Sequence, residues 1–552
     1  MPWAGGWTSH VRMTVLSELI ALADQDPTSI AALEPVGDRL EEIDRATLVD
    51  SALRLRRDLH ARGFSEGDCA AVWLPNWSSA LAWQLAVGSF GGHVIGVNTR
   101  YNVHEVTHVL TLARPKVVAL ADGFVGLDLI GRLREAVSAA AKESPDWRAP
   151  QVVPITGPNL PEVADLAAYD VGGGVWLPES TTPLTLDDAP EPGDDHLYVA
   201  VTTSGSTGLP KLAAHSQAAT LEQLFAAGRA MLAEPSDRLL AALPFSGTFG
   251  FVGAFGMLLA GGSIVLHPSF DPAEAVRLIN EHGVTHLAFG DDMMTRVVEA
   301  AEGTDVSNLK WVGIADFQGA SRGLAEWLEK NAGAHATGLY GSSETFALLT
   351  AWGPDVPAPD RWEPGGRLTP ASLEYRIADN ERVITDGSEG EIQFKGPQTV
   401  DAYLGQPHQM ENNYTSDGWL RSGDLGRAVD ERAFRYVCRA AEALRLKGFL
   451  VEPDEIANHL ASHEVVDIAK VVGVRRDAGD EAVGFVTLKP GAQVDGRRVD
   501  GDELVEYCRA SLARYKVPVA VYVIDEMPVT TGTNGTKIRA AVLKEWAAER
   551  LG

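Results

Sequence analysis

The chain has few cysteines and fewer basic than acidic residues, and it lacks a basic segment of the kind that begins a signal peptide. Its 552 residues include three cysteines, Cys69, Cys438 and Cys508, which lie far apart with no CxxC spacing. Such usage argues against a disulfide framework or a cysteine zinc site and is typical of a reducing, cytoplasmic location. The formal net charge of −28 argues against non-specific binding to nucleic acid or anionic lipid. No basic segment leads into an apolar amino-terminal core, so no signal peptide is expected.

Charge is also absent from one long stretch, residues 239–266, which is long enough to span a bilayer. Pro244 interrupts this stretch, and Gly261–Gly262 would end a helix before the strand-like segment "SIVL". Acidic residues lie on both sides, and no cluster of basic residues anchors either end. The pattern therefore favours a buried helix followed by a buried strand over a membrane span.

The length of the chain predicts more than one domain, because a single hydrophobic core does not grow to this size. Residues 45–140 alternate between helical and short apolar strand-like segments, which is typical of a parallel α/β sheet. From about residue 390 the pattern changes to short strands and turns. We expect a large layered α/β domain with a small attached β portion over 1–438, and a small mobile α+β domain over 439–552.

The segment "VTTSGSTGLPKLAAH", residues 201–215, is rich in serine, threonine and glycine. Such clusters often form polar linkers between buried elements. The alternative is a loop that binds phosphate through backbone N–H groups, with Lys211 adding a positive charge. A strand-like segment precedes the loop and a helical pattern follows it, which predicts a helix amino terminus at the anion. The spacing differs from that of a Walker A loop, so a P-loop NTPase is not expected.

Four later stretches decide between these interpretations through their order and spacing. They are "GLYGSSET" (338–345), "DGWLRSGDLG" (417–426), "RAAEALRLKGFLVEPDEI" (439–456) and "TNGTKIR" (533–539). With the glycine-rich loop, they resemble the adenylate-forming enzymes, which include acyl-CoA synthetases, adenylation domains and firefly luciferase. The resemblance covers most of the chain, and it extends to "GDCAAVWLPNW", "GEIQFKGPQ" and "LARYKVP".

The resemblance implies an ATP-dependent acid–thiol ligase of the acyl-CoA synthetase branch. A substrate carboxylate would attack the α-phosphate of ATP to form acyl-AMP, and the thiol of coenzyme A would then give acyl-CoA. Mg²⁺ is the implied metal, and a small-molecule carboxylic acid, ATP and CoA are the implied partners. The resemblance also implies a cytoplasmic enzyme of fatty acid metabolism with no nucleic-acid partner, and a homodimer is a further expectation.

The resemblance also assigns roles to individual residues of the adenylation site. Glu344 is the implied Mg²⁺ ligand, Ser343 faces the α-phosphate, and Lys211 and Lys537 are the catalytic cations. Tyr340 would stack on adenine, and Asp424 with Arg439 would bind the ribose. The full nucleotide set comprises Thr203, Ser204, Gly205, Ser206, Thr207, Gly208, Tyr340, Gly341, Ser342, Asp424 and Arg439.

The second half-reaction is implied to follow a swing of the carboxy-terminal domain. Gly448 would then line a narrow tunnel for pantetheine, because glycine lets a thin chain pass close to the backbone. Arg445 and Lys447 would meet the phosphates of coenzyme A. Relatives often carry Asp or Lys at the hinge, whereas Ala441 stands at the matching position here.

The acyl pocket departs from the family pattern. Phe245 and Gly247 lie where many relatives carry a bulky gate, and Asp316 and Phe317 replace part of a glycine-rich turn. Glycines recur at every third position from 247 to 256 and would leave one helix flank bare. Close packing of that helix is one explanation, and a wide channel for a medium-chain, long-chain or bulky hydrophobic acid is the other.

Two other functions remain open from the residues alone. A stand-alone adenylation enzyme could load the acyl group onto a separate carrier protein. A non-catalytic nucleotide-binding module would lack the chemistry, although the presence of both Glu344 and Lys537 argues against it. Luciferase-like oxidation has no supporting residue.

Overall fold

The computed structural model describes residues 14–551, apart from 159, 162, 189–195, 204–209, 401, 441–443, 447–448, 452, 477–478, 493–498, 513, 515 and 533–534. The helices of these ranges are α1 (Val15–Gln25), α2 (Arg45–Ala61), α3 (Ser78–Gly88), α4 (Val103–Ala113), α5 (Leu129–Glu143), α6 (Gln217–Ala230), α7 (Thr248–Leu259), α8 (Pro272–His282), α9 (Asp291–Ala300), α10 (Ser321–Ala332), α11 (Pro453–Ala461), α12 (Gly501–Ser511) and α13 (Ala540–Leu551).

The strands of the described ranges follow in the same chain order. They are β1 (Ile30–Val36), β2 (Arg39–Asp44), β3 (Cys69–Trp73), β4 (His93–Gly96), β5 (Val117–Asp122), β6 (Gln151–Thr156), β7 (Leu197–Thr203), β8 (Lys211–Ser216), β9 (Arg238–Ala241), β10 (Ser263–Leu266), β11 (His286–Gly290), β12 (Trp311–Ala315), β13 (His335–Ser342), β14 (Phe346–Ala351), β15 (Gly365–Leu368), β16 (Glu374–Asp379), β17 (Arg382–Val383), β18 (Gly390–Lys395), β19 (Leu420–Asp430), β20 (Ala433–Arg439), β21 (Leu444–Leu446), β22 (Phe449–Val451), β23 (Val466–Arg476), β24 (Gly479–Leu488), β25 (Ala520–Val523), β26 (Val529–Gly532) and β27 (Gly535–Ile538).

Two sheets built around parallel strands organise the first part of the chain. The smaller has six strands in the order β6-β5-β3-β4-β7-β8, and all but β8 run parallel. The larger has fourteen strands in the order β17-β16-β18-β19-β20-β15-β14-β13-β12-β11-β9-β10-β1-β2. Within it, β13, β12, β11, β9, β10 and β1 are parallel, and the strands beyond β13 are antiparallel. The antiparallel end of this sheet is the small β portion that the sequence predicts.

Central parallel strands are buried over their full length because helices cover both faces of the sheets. Every residue of β3 ("CAAVW") and of β11 ("HLAFG") is buried. Helices α6 and α7 lie between the two sheets, since α6 contacts β7 of one sheet and β14 of the other. On α7, the Phe251 ring lies 6.3 Å from that of Tyr198 in β7. The two sheets therefore share a single hydrophobic core.

Local sequence signals mark where the surface helices begin and end. Asp271 caps α8 by accepting the backbone N–H of Glu274, Pro272 occupies the first turn, and Gly283 ends the helix with φ of 63°. In α4, Asn102 and Glu105 form a reciprocal capping box. These helices present an apolar face to the core and a polar face to solvent.

The uncharged stretch 239–266 forms β9, α7 and β10, with all twelve residues of α7 buried. The predicted buried helix and strand are therefore present. A helix without a polar face belongs in a protein interior or a bilayer, and here it lies between two sheets. Across the described ranges, no helix has the length and apolar character that crossing a membrane requires.

The glycine stripe on α7 does not leave a bare flank. A methyl group on Gly250 would lie 2.4 Å from the Leu243 carbonyl oxygen, and one on Gly256 would lie 3.0 Å from that of Leu224 in α6. At Gly253 the same group would contact the Leu239 side chain at 3.5 Å. The wide-channel interpretation of these three glycines is wrong, because each faces packed protein.

The last part of the chain forms a smaller α+β unit around the three-stranded sheet β23-β24-β25. Its buried residues form two clusters separate from the main core, one around Leu460 and the other around Phe485. Strand β20 ends at Arg439 and still pairs within the large sheet, whereas the strands from Leu444 onward lie in separate sheets. The predicted fold class, a large α/β domain followed by a small α+β domain, is confirmed.

We predict that Gly250→Ala destabilises the protein by about 1–3 kcal/mol, because the new methyl group would overlap backbone atoms that cannot rotate away. Gly323→Ala is the matched control, since Gly323 also lies in a helix but has no neighbouring atom within 4 Å of the added carbon. That change should be neutral or stabilising by up to about 1 kcal/mol. Urea unfolding measures both; an equal effect of the two changes would contradict the packing explanation.

Candidate active site

The carboxyl ends of several parallel strands meet at one edge of the large sheet. Strands β9, β11, β12 and β13 run in the same direction, so the loops after them open on that edge. Phe245 follows β9, Asp316 and Phe317 follow β12, and Gly341 with Ser342 ends β13. The fold thus brings together residues that the sequence places in distant motifs.

The turn between β13 and β14 carries Ser343 and Glu344. Just after it, Phe346 and Leu348 have φ of 65° and 53°, a left-handed conformation that bulky residues rarely adopt. Gln223 of α6 holds this backbone by donating to the carbonyl oxygens of Ala347 at 2.9 Å and Leu348 at 3.2 Å. A buried side chain from another element therefore maintains the unusual turn.

His215 of β8 holds the same turn from the other side. Its Nε2 lies 2.7 Å from the Ser343 carbonyl oxygen, and its ring stacks on Phe346 with centroids 3.6 Å apart. Complete burial lowers the pKa of His215 to about 4. The ring is therefore neutral near pH 7 and donates its Nε2–H to Ser343. Sequence reasoning missed this histidine, although it lies four residues after Lys211.

Glu344 and Lys211 share one neighbour, Tyr403. The Tyr403 hydroxyl donates to Glu344 Oε1 at 3.0 Å, and Lys211 Nζ lies 4.9 Å from the centroid of the Tyr403 ring. The Glu344 carbonyl oxygen also accepts the backbone N–H of Val400 at 3.0 Å. Two predicted catalytic residues from separate motifs are therefore held together by a third residue that the motifs do not include.

The glycine-rich loop connects two strands and does not lead into a helix. Thr203 ends β7 and pairs with Lys211 at the start of β8, and α6 begins only at Gln217. The predicted strand–loop–helix arrangement is therefore wrong, because "KLAAHS" pairs with β7 as a hairpin strand. Residues 204–208, the centre of the predicted phosphate loop, lie outside the described residues.

Asp424 is buried, and its carboxylate contacts the polar groups of two other predicted site residues. The Tyr340 hydroxyl donates to its Oδ2 at 2.6 Å, and Arg439 Nε lies 3.1 Å from its Oδ1. Asp424 and Arg439 are direct partners in the β19–β20 register. Asp424 raises the pKa of Arg439, and burial, followed by the charge of Asp424, raises the pKa of Tyr340. Three of the predicted nucleotide-binding residues are therefore joined by one hydrogen bond and one ion pair.

Aromatic rings surround Tyr340. Its ring is 9% exposed and packs against Phe394 and Phe434. The ring of Tyr436 lies 5.7 Å away at 37°, and it is only partly buried. Tyr436 is a further aromatic candidate for the nucleotide site, and its position three residues before Arg439 on β20 is the signal that could have identified it.

The turn after β12 depends on a buried carboxyl group from α9. Asp291 accepts the backbone N–H groups of Phe317 at 3.1 Å and of Gln318 at 2.8 Å. Burial, followed by neighbouring Asp316, raises the pKa of Asp291. Asp316 itself accepts the Gly319 N–H and the Ser321 hydroxyl. The sequence analysis identified Asp316 but missed Asp291, the residue that fixes this turn.

The other predicted acyl-pocket residues lie at the start of α7. Phe245 is buried, and its N–H donates to Asn76 Oδ1 at 3.1 Å. Gly247 is the N-cap residue of α7. Its backbone is extended, and as a glycine it provides no side chain to cap the helix. Both residues precede the glycines that pack against α6 and β9.

The smaller unit contacts the larger domain through β27. This strand contains the backbone of Lys537 and lies against α9, which begins at Asp291. Arg445 lies in β21, which pairs with β22, and Lys447 and Gly448 lie outside the described residues. The structure thus brings the Lys537 segment against the helix that follows β11, and Arg445 lies in a different hairpin.

We predict that acid weakens the protein partly through His215. Its folded-state pKa of about 4 lies below the unfolded value of about 6.5, so this contribution to stability is complete above the latter and is lost as the pH falls between them. His215→Gln keeps an N–H donor but cannot titrate. Between pH 7 and pH 4, the wild-type protein should lose roughly 3 kcal/mol more than the variant in urea unfolding. Parallel pH curves would contradict this assignment.

Comparison with known proteins identifies the family. The sequence profile of the AMP-binding enzyme family matches residues 23–404, and that of the AMP-binding enzyme C-terminal domain matches residues 455–533. The chain is 29% identical over 479 residues to a methyl-dioxo-octahydroindenyl-propanoyl:CoA ligase of Mycobacterium tuberculosis, covering 85% of this chain and 88% of that protein. It is 26% identical over 521 residues to a long-chain-fatty-acid–CoA ligase of Bacillus subtilis, covering 90% and 89%.

A solved structure has the same fold over nearly the whole chain. ATP-bound MatB from Rhodopseudomonas palustris superposes with a TM-score of 0.80 at 24% identity, covering 98% of this chain and 100% of that one. The predicted resemblance and the prediction of an enzyme are both confirmed. The chain belongs to the family of AMP-binding enzymes, in its acyl-CoA synthetase branch.

Proposed function

We propose that the protein ligates a carboxylic acid to coenzyme A in two steps through an acyl-adenylate. In the first step, a carboxylate oxygen bonds to the α-phosphorus of ATP and pyrophosphate leaves. In the second step, the thiol sulfur of coenzyme A bonds to the acyl carbon, AMP leaves, and the thiol proton is released. The family membership and the CoA ligases among the relatives support this reaction.

The observation that carries the proposal is the pairing of Glu344 with Lys211 around Tyr403, at the base of the glycine-rich loop. Charge accumulates on the phosphates during adenylation, and fixed donors and cations at that place lower the barrier. Lys211 would contact the pyrophosphate portion, with backbone N–H groups of the loop from Thr203 onward. Ser343, held by His215, would face the α-phosphate.

The Asp424 group fits the nucleoside end of ATP. A carboxylate accepts hydrogen bonds from ribose hydroxyls, and Arg439 beside it can donate to the same sugar. Tyr340, or the more exposed Tyr436, would provide the aromatic face for adenine, and Gly341 and Ser342 would line the same edge. Strand β13 connects this group to the Glu344 turn, because it contains Tyr340 and leads into that turn.

Glu344 fits a magnesium ion that is shared with ATP. Mg²⁺ in nucleotide sites is held by one or two carboxylates together with phosphate oxygens and water. The described residues contain no cluster of three or more histidine, cysteine or acidic side chains suited to a metal, so the phosphates would supply the other ligands. When bound, the ion neutralises phosphate charge as a Lewis acid. Glu344 would hold the ion.

Lys537 and the "RLKGF" segment would serve different steps. The contact of β27 with α9 supports a role for Lys537 in adenylation. After a swing about the hinge near Ala441, Arg445 and Lys447 would bind the phosphates of coenzyme A, and Gly448 would line the pantetheine tunnel. The separate cores of the smaller unit support such a movement, since it could move without exposing the main core.

The acid is proposed to be hydrophobic and of medium length or larger. Phe245, Gly247, Asp316 and Phe317 would line the acyl pocket, since they follow β9 and β12 of the same sheet, and Gly247 has no side chain to narrow it. One relative is named for a bulky ring-bearing propanoyl group and another for long-chain fatty acids. These names support a large acyl group without selecting one acid.

The cellular location and the oligomeric state of the protein are part of the same proposal. None of the three cysteines is in a disulfide, which supports a reducing, cytoplasmic location. A homodimer remains a prediction, and size-exclusion chromatography with light scattering would test it.

The test of the function is pyrophosphate release across a panel of carboxylic acids, with and without coenzyme A. The proposal expects ATP–pyrophosphate exchange with at least one acid, and CoA-dependent release of AMP. Adenylation without transfer to CoA would favour loading of a separate carrier protein. ATP binding with no exchange for any acid would favour a nucleotide-binding module and contradict the proposal.

We predict that Lys537→Ala slows adenylation roughly 10²–10³-fold and spares thioester formation from supplied acyl-AMP. The reason is that Lys537 stabilises charge only in the first step. Lys489→Ala, an exposed lysine of the same unit, is the control and should change neither step. Single-turnover assays of each half-reaction measure the effect; an equal loss in both would refute the separation of roles.

We predict that Gly247→Trp blocks large acids and leaves propionate competent. Gly247 has φ of −113° and ψ of 152°, a conformation open to any residue, so the indole would not strain the backbone. The measurement is kcat/KM for propionate and for a long-chain acid, together with the melting temperature. Loss of all substrates at once, or unfolding, would mean that Gly247 is structural.

A further inference from the structure

The segment around Tyr403 belongs to neither of the motifs it touches. It pairs with β8 through a backbone bridge between Tyr403 and Ala213, and the Leu404 N–H donates to the Leu212 carbonyl oxygen at 2.8 Å. Three residues before Tyr403, Val400 donates to the Glu344 carbonyl oxygen at 3.0 Å. The segment is therefore attached by its backbone both to the strand that begins with Lys211 and to the Glu344 turn.

The hydroxyl and the ring of Tyr403 contact the side chains of the same two regions, Glu344 and Lys211. The side chain is buried, with 3% of the residue exposed. Its hydroxyl donates to Glu344 Oε1 at 3.0 Å, while its ring faces Lys211 Nζ at 4.9 Å from the centroid. The hydroxyl engages one carboxylate oxygen and so selects how the carboxylate turns. The ring attracts the ammonium group through its quadrupole.

A hydroxyl beside a carboxylate is the donor, and this hydrogen bond runs from the Tyr403 hydroxyl to Glu344 Oε1. Without it, the Glu344 carboxylate would be free to rotate about its last torsion, although its backbone would still be held by Val400.

We propose that Tyr403 is a positioning residue that orients the carboxylate of Glu344 and the ammonium of Lys211 toward a single bound metal–nucleotide. The proposal rests on the adenylation function proposed above. Groups that hydrogen-bond a metal-binding carboxylate fix its orientation and tune its affinity, and losing them typically costs 10–100-fold in metal affinity or activity. Tyr403 would exert this effect on Glu344 and a separate, smaller one on Lys211.

The experiment compares variants that remove the two parts of Tyr403 separately. Tyr403→Phe removes the hydroxyl and keeps the ring, and Tyr403→Leu removes both. Tyr169→Phe is the matched control, because the Tyr169 hydroxyl also donates to a carboxylate, Asp122 Oδ1 at 2.5 Å. Tyr169 lies beside β6, at the edge of the six-stranded sheet opposite β8. Glu344→Gln is the reference for loss of the carboxylate itself.

Three measurements separate positioning from a structural role. They are the Mg²⁺ concentration for half-maximal pyrophosphate release, the affinity for Mn²⁺ with ATP by electron paramagnetic resonance, and ATP binding without metal by calorimetry. Tyr403→Phe should raise the Mg²⁺ requirement and weaken Mn²⁺ binding about tenfold, in the direction of Glu344→Gln. Its metal-free ATP affinity should match the wild type. Tyr403→Leu should also weaken metal-free ATP binding about threefold.

The outcomes distinguish this proposal from the function on which it rests. If Tyr403→Phe lowers only the melting temperature, as Tyr169→Phe does, and leaves metal dependence unchanged, then Tyr403 is structural and the proposal is overturned. Equal metal-free ATP binding in Tyr403→Phe and Tyr403→Leu would remove the role toward Lys211. If the wild-type protein adenylates no acid, the proposed function fails, while the Mn²⁺–ATP measurements still decide the role of Tyr403.

Discussion

Four parallel strands, β9, β11, β12 and β13, return the chain to the same edge of the large sheet after each crossover. This shared direction is the constraint on which the site depends, because each loop after a strand must open beside the others. Phe245, Asp316 and Glu344 come from three such loops. The antiparallel strands beyond β13 then add Asp424 and Arg439 to the same region.

Proximity alone does not define the chemistry of this edge, since loops can adopt many conformations. The turn that carries Glu344 is held in an unusual left-handed backbone by side chains from distant elements, His215 and Gln223. Such conformations persist where the surroundings over-determine them, and they occur at sites where orientation matters. Asp291 has the equivalent role for the turn after β12, through backbone N–H groups. In both turns a buried polar side chain fixes the backbone of a loop at the sheet edge.

The interior behind the edge is packed tightly around α7. Helix α7 approaches α6 so closely that only a small residue fits at Gly256, and Gly250 lies directly against the backbone after β9. The flank of α7 that carries these glycines therefore offers no channel for an acyl group. The smaller unit has its own cores and contacts α9 through β27.

The sequence by itself determined the family, the two-part architecture and the elements with strong local signals. The capped helix α8, the mostly apolar strand β11 and the buried α7 could all be predicted, because their periodicity and end residues are local properties. The motifs around Glu344 and Asp424 could be recognised because each lies within a short continuous stretch of sequence. Tertiary structure alone decided that Lys211 begins a hairpin strand, that the α7 glycines face protein, and that His215, Asp291 and Tyr403 meet the site. Each of these depends on contacts between residues far apart in the chain, which the crossovers of the sheets create and no local pattern records.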